Sequence, residues 1–446
     1  MVKDFPHFVN RRYNDINGPL MDNAVNDLHD QRWKDVRSVL APTFTSGRLK
    51  QMNGLINECC DNLVSNLGKL ADEQVDVEGQ KLFRTVTLDI IASTFFGTKI
   101  DSQNDPKNAF TKKASEAFNF SLLDPIFIIL FLFPWALPLA KKLGMSAVKK
   151  ENLDFFVKNI NEIIKLRTES NVVRRDFIQL MLKSMKSADP NGLEKAPAIS
   201  EDLPATVTDQ TADIISHELS VGSAHEKSLS NANYKLSLDE VVAQAVVFFL
   251  AGFETTASAL TFLTYSLAVN SDIQERLRQS IEEVMQDREE PDYDAIAQMQ
   301  YLDACVNEAL RLYPPVSRTE RECNEDWEYK GLKIEKGSVI AVPIFAIQRD
   351  PEFWPNPEVF DPERFSYENK KNIKPYTFDT FGQGPRNCIG MRELCIYLPI
   401  IKMVMVHILR NFRIAPTAKT EIPLTLSDGA GFVYPKNGAW VRLERL

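Results

Sequence analysis

The chain has 446 residues, of which 44% are hydrophobic and 25% charged, a composition typical of globular proteins that excludes extensive disorder. The formal charge of −9 at pH 7 argues against general binding to nucleic acid. The six cysteines include no CxxC pair, and the five histidines are scattered along the chain. These counts argue against a disulfide scaffold and a zinc cluster, and they indicate a reducing compartment.

The N-terminal segment MVKDFPHFVNRRYND has no apolar stretch of the kind found in a signal peptide. The longest apolar run without a charge is PIFIILFLFPWALPLA at 125–140. It is shorter than the ~20 residues that a bilayer-spanning helix needs, and Pro134 and Pro138 interrupt it. We therefore expect a buried element or a segment that dips into a membrane surface.

The N-terminal half is predicted to be mostly helical, since apolar residues recur three and four apart through 26–185. The polar stretch 187–235 predicts an exposed, flexible insertion rather than a domain boundary, because the helical pattern resumes directly after it. Residues 236–269 predict one very long helix with a capping box formed by Ser237 and Glu240. This helix is apolar on nearly all sides, so it should cross the centre of the protein.

Two more helices are predicted at about 271–286 and 298–312, after which the pattern changes from helix to strand. The segment DWEYKGLKI predicts a hairpin that turns at Lys330–Gly331, and SVIAVPIFAI predicts a further strand. The C-terminal segment LTLSDGAGFVYPKNGAWVRLERL predicts another small sheet. The expected fold is therefore mainly α with a minor β portion.

One cysteine lies in the unusual setting FGQGPRNCIG at 381–390. Glycines and a proline predict a tight turn before Cys388, and helical spacing resumes after it, so the sulfur should lie near a helix N-terminus that favours the thiolate. Gly390 leaves room for a flat cofactor, and Arg386 can bind a carboxylate through a forked hydrogen bond. A buried structural cysteine is the alternative. A single thiolate does not make a zinc site, but it suits haem.

This segment resembles the haem-ligand loop of the cytochrome P450 superfamily, Phe-x-x-Gly-x-Arg-x-Cys-x-Gly. The match holds at every fixed position, namely Phe381, Gly384, Arg386, Cys388 and Gly390. Other family motifs follow in family order: WKDVR at 33–37, AGFETT at 251–256, EALR at 308–311 and PERF at 362–365. The resemblance covers almost the whole chain and is strongest to the microsomal group of steroid and drug oxidases and thromboxane synthase. It implies a single catalytic domain over 1–446 with the P450 fold, in which haem lies between the long central helix and the cysteine-loop helix.

The resemblance implies that Thr255 and Glu254 deliver protons to dioxygen bound in a groove opened by Gly252. Two polar residues in the middle of an apolar helix need such a reason, since their burial would otherwise cost several kcal/mol. The alternative is that the Thr255 hydroxyl bonds the carbonyl one turn back while Glu254 reaches a surface.

Further residues take roles by resemblance alone. Cofactor binding is implied for Trp33, Arg37, Arg318, Phe381, Arg386 and Gly390, with the tryptophan and the arginines on the haem propionates and Cys388 on the iron. A structural triad is implied for Glu308, Arg311 and Arg364, of which the first two can pair on one helix face. A substrate pocket is implied for Ala251, Val316, Ser317 and Phe432, although ordinary core packing explains any of these equally well.

The chain departs from the family pattern in two places. It begins just upstream of WKDVR, where family members carry a membrane anchor, a hinge, a first helix and first strands, so we expect a truncated product or an incomplete gene model. After the cysteine loop, Glu393 stands near an expected apolar site and Pro399 falls inside the expected helix. An interior proline costs ~3 kcal/mol or kinks the helix, so either haem affinity falls or the helix starts late.

The resemblance implies a haem b monooxygenase that uses dioxygen and NADPH-derived electrons to hydroxylate lipophilic small molecules, namely steroids, xenobiotics or fatty acids. The implied partners are a flavoprotein reductase, cytochrome b5 and a membrane surface, at the cytoplasmic face of the endoplasmic reticulum. Lys34, Arg48 and Lys50 could supply a positive patch for the reductase. The alternatives are a thromboxane-synthase-like isomerase that needs no reductase, and a non-catalytic remnant.

Overall fold

The structure is a computed structural model that describes residues 2–12, 18, 20–41, 46–118, 125–136, 139, 142–143, 145–146, 148–170, 176–185, 234–391, 397–427 and 431–446. The N-terminal helices are α1 (Asp30–Leu40), α2 (Ser46–Asp72), α3 (Gly79–Phe96), α4 (Ala109–Ala117), α5 (Pro125–Leu132), α6 (Lys150–Ser170) and α7 (Phe177–Lys183). The later helices are α8 (Leu238–Val269), α9 (Ser271–Met285), α10 (Tyr293–Gln298), α11 (Gln300–Leu312), α12 (Ile344–Ile347) and α13 (Tyr397–Asn411). The strands are β1 (Val77–Glu78), β2 (Thr319–Glu322), β3 (Trp327–Tyr329), β4 (Leu332–Ile334), β5 (Val339–Val342), β6 (Phe412–Pro416) and β7 (Trp440–Arg445).

The long helix α8 forms the centre of the molecule, as its apolar pattern predicts. Its N-terminus carries the predicted capping box: Glu240 N donates to Ser237 Oγ over 3.2 Å, and Ser237 N donates to Glu240 Oε2 over 2.8 Å. Among the described residues this helix alone is long and apolar enough to cross a bilayer, yet 83% of its most apolar window is buried within the protein. Helices α3, α6, α11 and α13 pack around it.

The β portion consists of small antiparallel sheets. Strands are ordered β1-β7-β6 in one sheet, while β2 pairs with β5 and β3 with β4. The predicted hairpin is confirmed, and both Lys330 and Gly331 have positive φ angles (49° and 83°), as a tight two-residue turn requires. The predicted strand SVIAVPIFAI is only half correct. Its second half forms α12, because Pro343 carries no N–H with which to continue the ladder.

The segment after the cysteine loop is described on both sides of 392–396. A short 3₁₀ turn, Ile389–Met391, follows Cys388, and α13 is described from Tyr397. Pro399 lies close to the beginning of this described part of the helix. The two expectations for this proline, a late start of the helix and a loss of haem affinity, both stay predictions, because 392–396 lie outside the described residues. Glu393 lies outside the described residues.

The apolar run at 125–140 combines a buried residue, Ile126, with several exposed ones. Helix α5 ends at Leu132, whose side chain is 67% exposed, and Trp135 beyond it is 79% exposed. Leu139 and Leu143 are exposed as well. The predicted insertion at 187–235 lies outside the described residues apart from its last two.

Candidate functional site

The cysteine loop is a set of tight turns that leave the Cys388 thiol accessible. Cys388 N donates to Phe381 O over 2.8 Å, and Gly382 and Gly384 take positive φ angles of 72° and 80°. Such angles favour glycine. The thiol is partly exposed, whereas the other described cysteines are buried: Cys59, Cys60, Cys305 and Cys323. No group of three or more metal-ligating side chains occurs in the described ranges, so Cys388 is the candidate for a single-thiolate site.

Four arginines gather beside this loop around the buried ring of Trp33. The Arg386 guanidinium lies 4.4 Å from the ring centroid and that of Arg37 lies 5.8 Å from it. Arg37 Nη2 donates to Asn387 Oδ1 over 2.7 Å, which ties α1 to the cysteine loop. Arg11 and Arg321 complete the arginine cluster, and both interact electrostatically with Arg386.

The arginine cluster carries more positive charge than its surroundings neutralise. Burial, followed by repulsion from the other arginines, lowers the pKa of Arg386 to about 8 and that of Arg321 to about 9. Burial also lowers the pKa of Arg11, and the Nε atoms of Arg11 and Arg386 have no hydrogen-bond partner. Buried donors without acceptors are rare in folded proteins. The cluster therefore has the features of a binding site for an anionic group.

Arg318 does not join the arginine cluster. It lies on the surface, 49% exposed, with its Nε 2.9 Å from Glu320 Oε1. Arg321, three residues later and within β2, points inward and is 6% exposed, whereas Arg318 lies just before that strand. The structure therefore brings Arg321 rather than Arg318 into the arginine cluster, and a propionate-binding role for either residue stays a prediction.

One face of α8 carries exposed side chains, although the helix is central to the fold. Val247, Ala251 and Thr255 recur every fourth residue and are partly or fully exposed, although their neighbours on the helix are buried. Thr255 Oγ1 donates to Ala251 O over 2.7 Å, as the alternative for this residue anticipates. This exposed stripe is the side of the central helix from which a small molecule can be contacted.

Glu254 points away from that stripe. Its carboxylate is 1% exposed and accepts hydrogen bonds from Arg84 Nη2 (2.6 Å) and Nε (3.1 Å) and from Gln80 Nε2 (3.1 Å), both residues of α3. The alternative in which Glu254 reaches a surface is therefore wrong. Its ion pair with Arg84 also keeps its charge off the face that carries Thr255.

The three residues of the predicted triad meet in the core. Arg311 donates to Glu308 through Nε (2.7 Å) and Nη2 (2.9 Å), and Arg364 Nε lies 3.3 Å from Glu308 Oε1. Arg311 also donates to the carbonyl oxygens of Gln348 and Pro357, each over 2.7 Å. The arrangement ties α11 to the segment that leads into the cysteine loop.

The predicted pocket residues form two groups. Val316 and Phe432 make an isolated β-bridge, and Ser317 N donates to Gly431 O over 2.8 Å, so the turn after α11 meets the C-terminal tip. The Phe432 ring contacts Phe118, with centroids 5.8 Å apart. Phe118 in turn lies 6.4 Å from Phe253 of α8, which links this group to the helix that carries Ala251. Ala430 lies outside the described residues.

An aromatic ring lies between the central helix and the cysteine loop. A Cβ atom placed on Gly252 would lie 2.6 Å from Cε1 of Tyr397, and one placed on Gly390 would lie 2.8 Å from its Cε2. The same position on Gly390 is 3.7 Å from Cys388 Sγ. The ring also stacks on Phe95 at 6.4 Å, so it fills the slot bounded by Gly252, Gly390 and Cys388.

Sequence reasoning missed four residues of this site: Arg11, Arg84, Arg321 and Tyr397. Arg321 could have been found from its place within the strand, which Arg318 precedes. The roles of Arg11 and Arg84 depend on contacts with distant parts of the chain, for which a single sequence carries no signal. Tyr397 could be placed only once the packing of α13 was known.

Comparison with known proteins agrees with this geometry. The family model for cytochrome P450 matches residues 1–213 and 201–442. The chain belongs to the cytochrome P450 family. Cytochrome P450 3A29 of Sus scrofa is 40% identical over 442 residues, which cover 98% of this chain and 78% of that protein. Cytochrome P450 3A5 of Homo sapiens is 38% identical over 448 residues, covering 100% and 80%, and cytochrome P450 3A2 of Rattus norvegicus is 39% identical over 435, covering 96% and 77%.

Family membership fixes the class of enzyme and its cofactor. The protein is a P450 monooxygenase of lipophilic substrates that uses haem b, dioxygen and electrons from NADPH supplied through a reductase. The mainly helical fold with small sheets agrees with this assignment. Microsomal relatives of this kind agree with the predicted location at the endoplasmic reticulum membrane.

The residues of this P450 fit haem b by their chemistry. Cys388 is the accessible thiol among the described cysteines, as an axial thiolate ligand must be. The arginine cluster supplies buried cations whose Nε atoms lack acceptors, which matches a group bearing carboxylates. The slot between Gly252 and Gly390, however, is filled by Tyr397 in this conformation.

Proposed function

We propose that Cys388 is the axial ligand of the haem iron in this P450. The observation that carries the proposal is the partly exposed residue Cys388 beside a cluster of arginines, two of which have a buried Nε atom without a hydrogen-bond partner. When bound, haem supplies the chemistry of dioxygen activation, and an axial thiolate favours cleavage of the O–O bond. The glycines on either side of Cys388 keep the loop tight enough to hold the sulfur in one position.

The arginine cluster is proposed to hold the propionates. Arg37 and Arg386 both lie against the Trp33 ring. Arg37 donates to Asn387 Oδ1, and Arg386 donates to the carbonyl oxygens of Asn26 and Leu28. These hydrogen bonds orient both guanidinium groups. Arg11 and Arg321 add charge from two other segments of the chain. An anion in the cluster would relieve the repulsion that lowers the pKa values of Arg386 and Arg321.

Thr255 is proposed to hold the proton that the reaction needs. Its hydroxyl lies on the exposed stripe of α8, and its hydrogen bond to Ala251 O fixes Oγ1 on that face. Glu254 can take part in proton delivery only after its ion pair with Arg84 opens, because its carboxylate lies on the α3 side of the helix. The proposal therefore places Thr255 on the face of α8 that a bound small molecule would contact, and Glu254 on the side of the helix that faces α3.

The substrate is proposed to be a steroid, a xenobiotic or a fatty acid. Ala251, Val316 and Phe432 present apolar surface, and the Phe118–Phe432 contact joins the C-terminal tip to the central helix. Entry is proposed from a membrane surface, because Leu132, Trp135, Leu139 and Leu143 expose apolar side chains together on one short segment.

A flavoprotein reductase, with cytochrome b5 as a second donor, is proposed to dock from the cytoplasmic face. Of the residues predicted to attract it, Lys34 is partly exposed, while Lys50 Nζ lies 2.8 Å from Asp294 and is partly neutralised. The Arg48 side chain is outside what the structure describes. The positive charge available at this face is therefore smaller than the sequence implies.

The test is NADPH consumption and product formation with a reductase and a steroid substrate. A monooxygenase consumes NADPH and inserts one oxygen atom, whereas an isomerase of fatty-acid peroxides works without NADPH and a remnant does neither. We expect Thr255→Ala to lower product formed per NADPH, because its hydroxyl delivers the proton. Thr261→Ala is the matched control, since its Oγ1 makes the same 2.7 Å bond, to Ala257 O, from a buried face of the same helix.

A further inference from the structure

The ring of Tyr397 lies in the slot where the cofactor must bind. The distances from the Cβ positions of Gly252 and Gly390 to ring atoms are 2.6–3.0 Å and 2.8–3.0 Å, which leave no space beside either glycine. Cys388 Sγ is 3.7 Å from the same Gly390 position. A macrocycle bound through this sulfur needs the space beside the sulfur and between the central helix and the loop. Tyr397 and haem therefore compete for one volume.

The two glycines and Phe95 make this slot suited to a flat ring. The Phe95 ring lies parallel to that of Tyr397, with an interplanar angle of 8° and ring centroids 6.4 Å apart. A flat cofactor in this slot would meet the same aromatic plane. A Cβ on either glycine would clash with the ring, which shows that the backbone approaches it as closely as sterics allow. The phenol ring therefore lies where a planar ligand would fit, between the backbone at Gly252 and Gly390 and next to the ring of Phe95.

Tyr397 lies at the edge of the buried part of α13. Its side chain is partly exposed, whereas Ile400, Ile401 and the apolar residues up to Leu409 are buried in the core. Pro399, between Tyr397 and these residues, has no N–H and so donates no backbone hydrogen bond. The ring of Tyr397 can therefore be displaced while the buried part of the helix stays in place.

We propose that Tyr397 is an internal plug of the haem slot. Its ring fills the space between Gly252 and Gly390, and haem enters when the ring moves out of this space. The proposal rests on Cys388 being the haem ligand. Because only molecules with an open slot bind, the plug lowers the apparent affinity for haem by the fraction of molecules that are open.

Haem uptake by the chain without haem tests the plug. Hemin is added to the wild type, Tyr397→Ala, Tyr397→Phe and Tyr301→Ala, and the Soret absorbance is followed in time and at equilibrium. If the ring closes the slot in about nine molecules out of ten, Tyr397→Ala should take up hemin about tenfold faster and with about tenfold higher affinity than the wild type. Tyr397→Phe keeps the ring and should behave as the wild type, and so should Tyr301→Ala, which removes a partly buried phenol of α11 outside this slot.

Hydrogen exchange supplies a readout that does not depend on the alanine variant folding. In the wild type, hemin should change amide exchange at 397 and 398, at and next to the displaced ring, without a comparable change at 405–409. Unchanged exchange at 397 and 398 on haem binding, or uptake by Tyr397→Ala no faster than by Tyr397→Phe, overturns the plug. Failure of Cys388 as ligand gives a different result, because Cys388→Ser would then leave the Soret position of the loaded protein unchanged.

Discussion

At the scale of single residues, the charge balance of the arginine cluster determines what the site can bind. Four buried arginines with two unpaired Nε atoms are an unfavourable arrangement in the protein alone. The arrangement becomes favourable once an anion enters, since charge-assisted hydrogen bonds are stronger than neutral ones. Arg321 is the residue in this cluster whose role differs most from the sequence prediction.

We predict that Arg321→Gln weakens haem binding by roughly 10- to 100-fold, the equivalent of one hydrogen bond to a charged group. In the chain without haem the same change should alter stability little, because it removes repulsion from Arg11 and Arg37 but also the cation beside the buried Asp379. Hemin titration and thermal unfolding measure the two effects. Arg318→Gln is the matched control and should change neither; an effect on haem binding equal to that of Arg321→Gln would contradict a special role of Arg321 in the cluster.

Asp379, beside Arg321, should make stability depend on pH. Burial raises the pKa of this carboxyl to about 7, although the charge of Arg321 opposes the shift, and its Oδ1 has no hydrogen-bond partner. The folded chain therefore binds more protons than the unfolded chain between about pH 4 and about pH 7. The contribution of Asp379 to the free energy of unfolding is greatest near pH 4 and is lost as the pH rises through 7. This change is on the order of a few kcal/mol.

We predict that Asp379→Asn flattens this dependence in the chain without haem. As the pH rises from about 4 to about 7, the unfolding temperature of the variant should fall less steeply than that of the wild type. Asp287→Asn removes an exposed carboxyl and serves as the control. If the unfolding temperatures of the wild type and Asp379→Asn depended on pH in the same way, the Asp379 carboxyl would be ionised throughout this range, which would contradict the prediction.

At the scale of elements, a buried ion pair between Arg84 and Glu254 joins α3 to α8. Glu254 is 1% exposed and Arg84 23%, so removing the arginine leaves a buried carboxylate without its main partner. We predict that Arg84→Leu lowers the free energy of unfolding by about 3–5 kcal/mol, as measured by chemical denaturation. The double variant Arg84→Leu, Glu254→Leu should recover much of this loss.

The control for this pair is the exposed ion pair Arg278–Glu275 on α9, with side chains 32% and 49% exposed. Arg278→Leu should change the free energy of unfolding by no more than about 1 kcal/mol. If Arg84→Leu were equally mild, Glu254 would have to be reached by water or protonated. In that case its proposed place in proton delivery would need no opening of the ion pair.

Elements were predictable where local chemistry decides them. The capping box of α8 and the hairpin at Lys330–Gly331 appear as expected, because Ser237, Glu240 and a glycine act on residues next to them. The second half of SVIAVPIFAI was wrong because Pro343 prevents the ladder from continuing. The sequence left the start of the helix after the cysteine loop open between two outcomes, and it stays open because 392–396 lie outside the described residues.

At the scale of the whole molecule, the exposed apolar segment at 128–143 defines one face. Leu132 and Trp135 are 67% and 79% exposed, and burying such side chains in lipid is favourable by about 1.5–3 kcal/mol each when complete. We predict that the pair Leu132→Ser, Trp135→Ser lowers binding to phospholipid vesicles by roughly tenfold or more, as measured by co-sedimentation. The pair Val359→Ser, Tyr367→Ser, which also removes exposed apolar side chains, should bind as the wild type.

The whole-molecule contacts are the part that sequence could not supply. The arginine cluster joins four segments of the chain, and the pair Arg84–Glu254 spans 170 positions. Motif matching gave Cys388, Arg386, Trp33 and Arg37, because these stand inside family signatures. It could not show that Glu254 turns towards α3 or that Tyr397 enters the slot, since both depend on how distant helices pack.

The central claim is that Cys388 binds haem iron as a thiolate. The most direct measurement is the absorption spectrum of the reduced, carbon-monoxide-bound protein after reconstitution with hemin, for the wild type and for Cys388→Ser. We predict a Soret band typical of thiolate ligation in the wild type and its absence in the variant. A wild type that takes up no haem, or a variant that retains that band, would contradict the account.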